Sequence, residues 1–93
     1  MIKEIVIPTW LQKKIHKLPL KVREKLYWAI DMLIKNERYP SLRHKKIEGT
    51  DIYWEFSITK NYRGAYRQEA DKGFLVEVDT HNHIFRHIRR KKW

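Results

Sequence analysis

At Pro40 the hydrophobic period of this chain changes from that of a helix to that of a strand, and this change constrains the fold more than any other feature. Upstream, Leu11, Ile15 and Leu18 recur at helical spacing with Lys13, Lys14 and Lys17 between them. After Pro19, which suits the first turn of a second helix, Val22, Leu26, Ile30 and Leu33 form one stripe that Tyr27 and Ile34 widen. Asn36 to Ser41, with Pro40 inside, ends that helix. Downstream, Ile52, Trp54, Phe56 and Ile58 alternate with Tyr53, Glu55, Ser57 and Thr59. Such alternation predicts a strand with one face toward a core and the other open.

The remaining elements follow from turn chemistry. A β-branched run, Ile2 to Ile7, stops at Pro8 and reads as an N-terminal strand. Lys60-Asn61 suits a hairpin turn, Tyr62 to Gln68 its partner strand, and Glu69 to Gly73 a polar turn. Phe74 to Asp79 then returns as a strand with Phe74, Val76 and Val78 on one side. Leu42 to Ile47, closed by Gly49, is expected to be the first strand of the meander. The order predicts a single α+β domain over residues 1–93. Its parts are an N-terminal strand, an α-helical hairpin and an antiparallel β-meander with both helices on one sheet face, followed by a basic tail from Arg86 to Trp93.

Charge narrows the partners. The chain carries 21 Lys+Arg against 11 Asp+Glu, a formal net charge of +10. That favours a polyanion, either nucleic acid or an acidic protein segment. There is no cysteine, so disulfides and thiolate metal sites are excluded, and a reducing cytoplasm is compatible. The N-terminal residues lack the apolar core and cleavage pattern of a signal peptide, and no apolar run approaches membrane-spanning length. A soluble cytoplasmic protein with no membrane partner is expected.

The open sheet face is expected to carry the chemistry. Alternation places Arg63, Ala65 and Arg67 there if Tyr62, Gly64 and Tyr66 face the helices, and Glu55 and Glu77 share it. Arg63 and Arg67 suit phosphate, because guanidinium offers two parallel donors, although cross-strand pairing with the glutamates competes. Glu55 would anchor Arg63 or accept a proton. His81 and His83, at a strand end, are acid–base candidates because imidazole exchanges its proton near neutral pH. A metal pair or plain surface histidines are the rival readings. Metal is the weaker of these, since His-x-His without cysteine or a carboxylate ligand motif is a poor zinc signal. Arg43, His44, Lys45 and Lys46 are either edge charges that block sheet pairing or phosphate contacts. Arg86, Arg89 and Arg90 suggest an electrostatic arm for RNA, with an ordinary disordered end as the rival reading. Tyr53 and Tyr62 could stack on bases, while Trp54 and Phe56 fit a core.

With these residues in order, the chain resembles the RelE/ParE superfamily of type II toxin–antitoxin toxins. The resemblance rests on Leu42, the Lys46-Ile47-Glu48-Gly49 turn, Trp54-Glu55, Tyr62-Arg63, Tyr66, Thr80-His81 and Ile84-Phe85. It implies a β-α-α-β-β-β core and, by similarity to the RelE branch, metal-independent cleavage of messenger RNA in the ribosomal A site without a cofactor. Arg63 would stabilise the phosphate and His81 would act as base or acid. Glu55 falls where a sister branch has a functional carboxylate, and His83, His44, Lys45 and Lys46 are candidates for the remaining role. A small acidic or amphipathic antitoxin is the implied partner. Phe85 stands where several members have tyrosine, and Gly64 replaces a usually apolar residue. Two alternatives stay open: a ParE-like gyrase inhibitor, and a non-catalytic RNA- or partner-binding module of the same fold.

Overall fold

A computed structural model describes residues 2–84. Strand β1 (Glu4–Val6) leads into helices α1 (Thr9–His16) and α2 (Leu20–Lys35). A 3-10 turn (Pro40–Leu42) then precedes β2 (Lys45–Lys46), β3 (Tyr53–Ser57), β4 (Tyr62–Glu69) and β5 (Lys72–Thr80). The sheet order is β1-β5-β4-β3-β2, with β1 parallel to β5 and the other pairs antiparallel. This is the α+β arrangement expected from the change of period. The basic tail, with Arg86, Arg89 and Arg90, lies outside the described residues.

Proline sets both helix starts: Pro8 and Pro19 occupy the two N-cap positions in extended conformation. Neither ring nitrogen can donate a hydrogen bond, which costs nothing at a helix start, where an N–H has no intrahelical partner. Lys13, Lys14 and His16 fill the last turn of α1, where cations meet the negative end of the helix dipole. Leu11 and Ile15 of α1, with Val22, Leu26, Ala29 and Leu33 of α2, pack on Phe56, Ile58, Tyr66, Leu75 and Val78. Tyr27 departs from the expected stripe and stands 53% exposed.

Three sequence expectations need correction. The open sheet face is partly closed, because Ile47, Tyr53, Ala65 and Ile84 form a second buried cluster with Val76 against it. Tyr53 is therefore core rather than a stacking surface, and Glu55 and Glu77 are both buried. Leu42 to Ile47 is not one strand. Leu42 closes the 3-10 turn, Arg43 adopts a left-handed conformation (φ 45°), and only Lys45 and Lys46 pair with β3. Finally, a register shift between Ala65 and Tyr66 moves Leu75 and Val78 onto the helical core while Val76 joins the second cluster. An irregularity of this kind breaks strict alternation, so Phe74, Val76 and Val78 do not share a side.

Candidate functional site

The β3–β4 hairpin and the end of β5 meet at one end of the sheet. Arg63 pairs in register with Ser57 on β3 and with Asp79 on β5, and the His81 amide donates to the Asn61 carbonyl at 3.3 Å. Arg63, His81 and His83 thus come to a common end of the sheet, although they are distant in sequence.

Side-chain direction separates them across that end. The Arg63 guanidinium turns toward β3, where Nη1 donates to Ser57 Oγ at 2.6 Å and to the Thr59 carbonyl at 3.4 Å. These partners replace the Glu55 anchor expected from sequence. Because β2 pairs only as far as Trp54 and Glu55, the rest of β3 is an edge at this point. A cavity of about 280 Å³ opens there between α2 and the hairpin. Lys25, Arg43, Lys60 and Arg63 line it together with Trp28 and the Ser57 hydroxyl, and none of its described lining residues is acidic. Lys25 and Trp28 carry no functional signal in the sequence, and Lys60 reads there only as a turn residue. The only hint was Lys25 three residues before Trp28, a spacing that puts both on one helical side, and Lys25 Nζ lies 4.9 Å from the Trp28 ring centroid.

On the β5 side the charges are already matched. Lys14 of α1 reaches Glu77 Oε1 at 2.6 Å and Asp79 Oδ2 at 2.9 Å, and His83 Nδ1 lies 3.2 Å from Asp79 Oδ1. Partial burial opposes charge on Asp79. Hydrogen bonds from Lys14, the Thr80 amide and His83 outweigh it and hold the carboxyl below its usual range. Burial likewise works against the Lys14 ammonium, but its two carboxylate partners raise it overall. His83 remains largely exposed and His81 half-buried. Among the described residues no group of three or more His, Asp or Glu could hold a metal ion.

The basic segment before β3 divides residue by residue. Lys45 Nζ lies 3.5 Å from the buried Glu55 carboxylate, and Lys46 Nζ lies 5.4 Å from the Trp54 ring centroid. His44 is not a surface cation beside them. Its ring stacks on Trp54 with centroids 4.7 Å apart and its Nε2 is 2.5 Å from Tyr66 Oη. Arg67 pairs with Glu69 on its own strand and lies over Phe74, so neither glutamate of the central strands is its partner.

The His44 wedge makes the fold sensitive to acid. Burial disfavours the imidazolium and lowers the His44 pKa from 6.5, only partly opposed by Glu37. The unfolded chain therefore binds this proton more readily than the folded one, and stability falls as pH drops below about 6.5. Urea unfolding between about pH 7.5 and pH 5 is expected to show a shallower loss of stability in His44→Gln than in the wild type. Parallel curves would mean that His44 contributes nothing to acid sensitivity.

No family model matches the chain, and no curated protein matches it. Solved structures do. A mutant of E. coli RelE toxin in the free state superposes with a TM-score of 0.69 at 18% identity, covering 97% of this chain and 98% of that one. The archaeal RelE–RelB complex from Pyrococcus horikoshii matches with a TM-score of 0.67 at 16% identity, over 86% and 96% of the two chains. The YoeB/ParE toxin from Agrobacterium tumefaciens gives a TM-score of 0.66 at 17% identity, over 84% and 98%. Likeness at these identities is a likeness of fold, carried along nearly the full length of each partner. The chain has the RelE/ParE toxin fold.

Proposed function

We propose that this chain is the toxin of a type II toxin–antitoxin system and cuts ribosome-bound messenger RNA without a metal ion. The observation that carries this reading is that, on a RelE/ParE fold, Arg63 lies in a cationic cavity with no acidic residue in its described lining, at the same end of the sheet as His81 and His83. In the reaction a base removes the ribose 2′-hydroxyl proton and O2′ attacks the adjacent phosphorus. The bond from phosphorus to O5′ breaks as an acid protonates O5′, leaving a 2′,3′-cyclic phosphate and a free 5′-hydroxyl. Arg63 would stabilise charge on the phosphorane through donors not used by Ser57 and Thr59. His81 and His83 would supply the proton transfers, with Asp79 orienting the His83 ring.

An antitoxin partner is part of the same proposal. The RelE–RelB complex from Pyrococcus horikoshii is a toxin-fold chain bound to a second protein, and a surface of net charge +10 suits an acidic, amphipathic segment. Expression of the chain in a translating extract, followed by mapping of transcript ends, is expected to reveal cuts at codon-linked positions that disappear without ribosomes. Altered plasmid supercoiling with intact transcripts would replace this reading with gyrase inhibition, and no effect on either would leave a binding module.

A further inference from the structure

We propose that the cavity between α2 and the β3–β4 hairpin is a subsite for a backbone phosphate of single-stranded RNA flanking the one that is cut. This deepens the ribonuclease reading and rests on it. Arg63 borders both positions: its Nη1 is held at the cavity wall by Ser57 and the Thr59 carbonyl, while its remaining guanidinium donors are those assigned above to the reacting phosphate. An anion held in the cavity is therefore displaced toward the β3 edge from the imidazoles. It fits a neighbouring phosphate on the same strand better than the reacting one.

The lining has the chemistry of a phosphodiester cradle rather than of a general basic surface. Lys25, Arg43, Lys60 and Arg63 come from four different segments, and the Ser57 hydroxyl adds a neutral group that bonds phosphate oxygens. Arg43 reaches this place at a conformational cost. Its left-handed backbone (φ 45°) is unfavourable for a residue with a side chain, and the fold holds it there because the next residue, His44, is fixed against Trp54 and Tyr66. Trp28 supplies an apolar wall, 40% exposed, which suits the sugar or base attached to such a phosphate better than a carboxylate side chain.

The test is equilibrium binding of a fluorescein-labelled 2′-O-methyl RNA oligomer, which cannot be cut, followed by anisotropy over a range of salt concentrations. Lys25→Ala with Lys60→Ala is expected to weaken binding by about tenfold and to reduce the slope of log affinity against log salt by about 1.4, near 0.7 for each lost contact to a single strand. Lys25→Arg with Lys60→Arg is expected to restore the slope. Lys3→Ala with Lys72→Ala removes equal charge at the opposite, β1–β5 edge and is expected to leave the slope near its wild-type value. Both lysine pairs are exposed, so the variants are expected to fold, as thermal melts would show. Wild-type affinity and slope in the Lys25/Lys60 double variant would overturn the subsite. So would unchanged RNA binding with weakened binding of a poly-glutamate peptide, which would assign the cavity to an acidic protein segment. The cleavage reading is judged separately by transcript mapping. A chain that cuts nothing but loses RNA in the double variant keeps a phosphate site in the cavity, and the nuclease reading, with the subsite's place beside a scissile phosphate, is overturned.

Discussion

Arg63→Ala is expected to reduce ribosome-dependent transcript cleavage by about 10²-fold or more, the usual cost of removing a group that meets charge developing in a transition state. The residue is well placed for a clean test. Its hydrogen bonds go to Ser57 and the Thr59 carbonyl at a half-exposed sheet edge, where water can replace the guanidinium. The fold is therefore expected to survive, as circular dichroism and thermal melting would show. Arg63→Lys keeps the charge but loses the planar fork, so an intermediate rate is expected. His81→Ala is expected to cost a similar factor by removing a proton-transfer group. Because the two residues serve one reaction, the double variant should fall well short of the product of the single losses. Full cleavage by the folded single variants would remove both residues from the mechanism.

Much of this architecture is legible in the sequence, for reasons that particular residues make plain. Pro8, Pro19 and Pro40 fall at backbone turns that proline itself enforces, and Phe56 and Leu26 repeat at the two periods that separate strand from helix. Alternation fails at Glu55 and Tyr53 because it reports only which side of a strand a residue is on. It does not report whether a later residue, here Ile84, returns to cover that side. The register shift at Ala65 and Tyr66 has no local signature, so alternation alone puts Val76 on the wrong face. The cationic cavity was half visible. Arg43 and Arg63 stood out within a basic, strand-rich half, but Lys25 and Lys60 join them only through the packing of α2 against the β3–β4 hairpin. His44 shows the reverse limit: a histidine inside a run of cations reads as surface, yet an aromatic pair on the neighbouring strands draws it inward.

Gly64→Ala is expected to lower stability by about 1–3 kcal/mol, the usual cost of forcing an extra carbon into a packed core. Two effects oppose each other here. Alanine reduces the freedom of the unfolded chain and favours a strand by about 0.5–1 kcal/mol, so at an open position the substitution would stabilise. Gly64 is not open. It lies opposite Phe56 on β3, and a Cβ added to it would fall on the Phe56 ring, well inside van der Waals contact. That ring is fully buried in the helical core cluster, with the Tyr66 ring 6.2 Å away, so moving it disturbs packed neighbours. Steric strain therefore outweighs the entropic gain. In a chain of this size each kcal/mol lost corresponds to a fall in melting temperature of about 4–8 °C. Phe56→Leu in the same chain should recover part of the loss by vacating the ring's position. The position also bears on the site, since Phe56 and Gly64 are the pair next to Ser57 and Arg63 in the β3–β4 register, so strain there is passed to the Arg63 hydrogen bonds. The destabilised variant is thus expected to lose RNA affinity before it unfolds, whereas a melting temperature at or above wild type would show that Phe56 yields and that the steric argument is wrong.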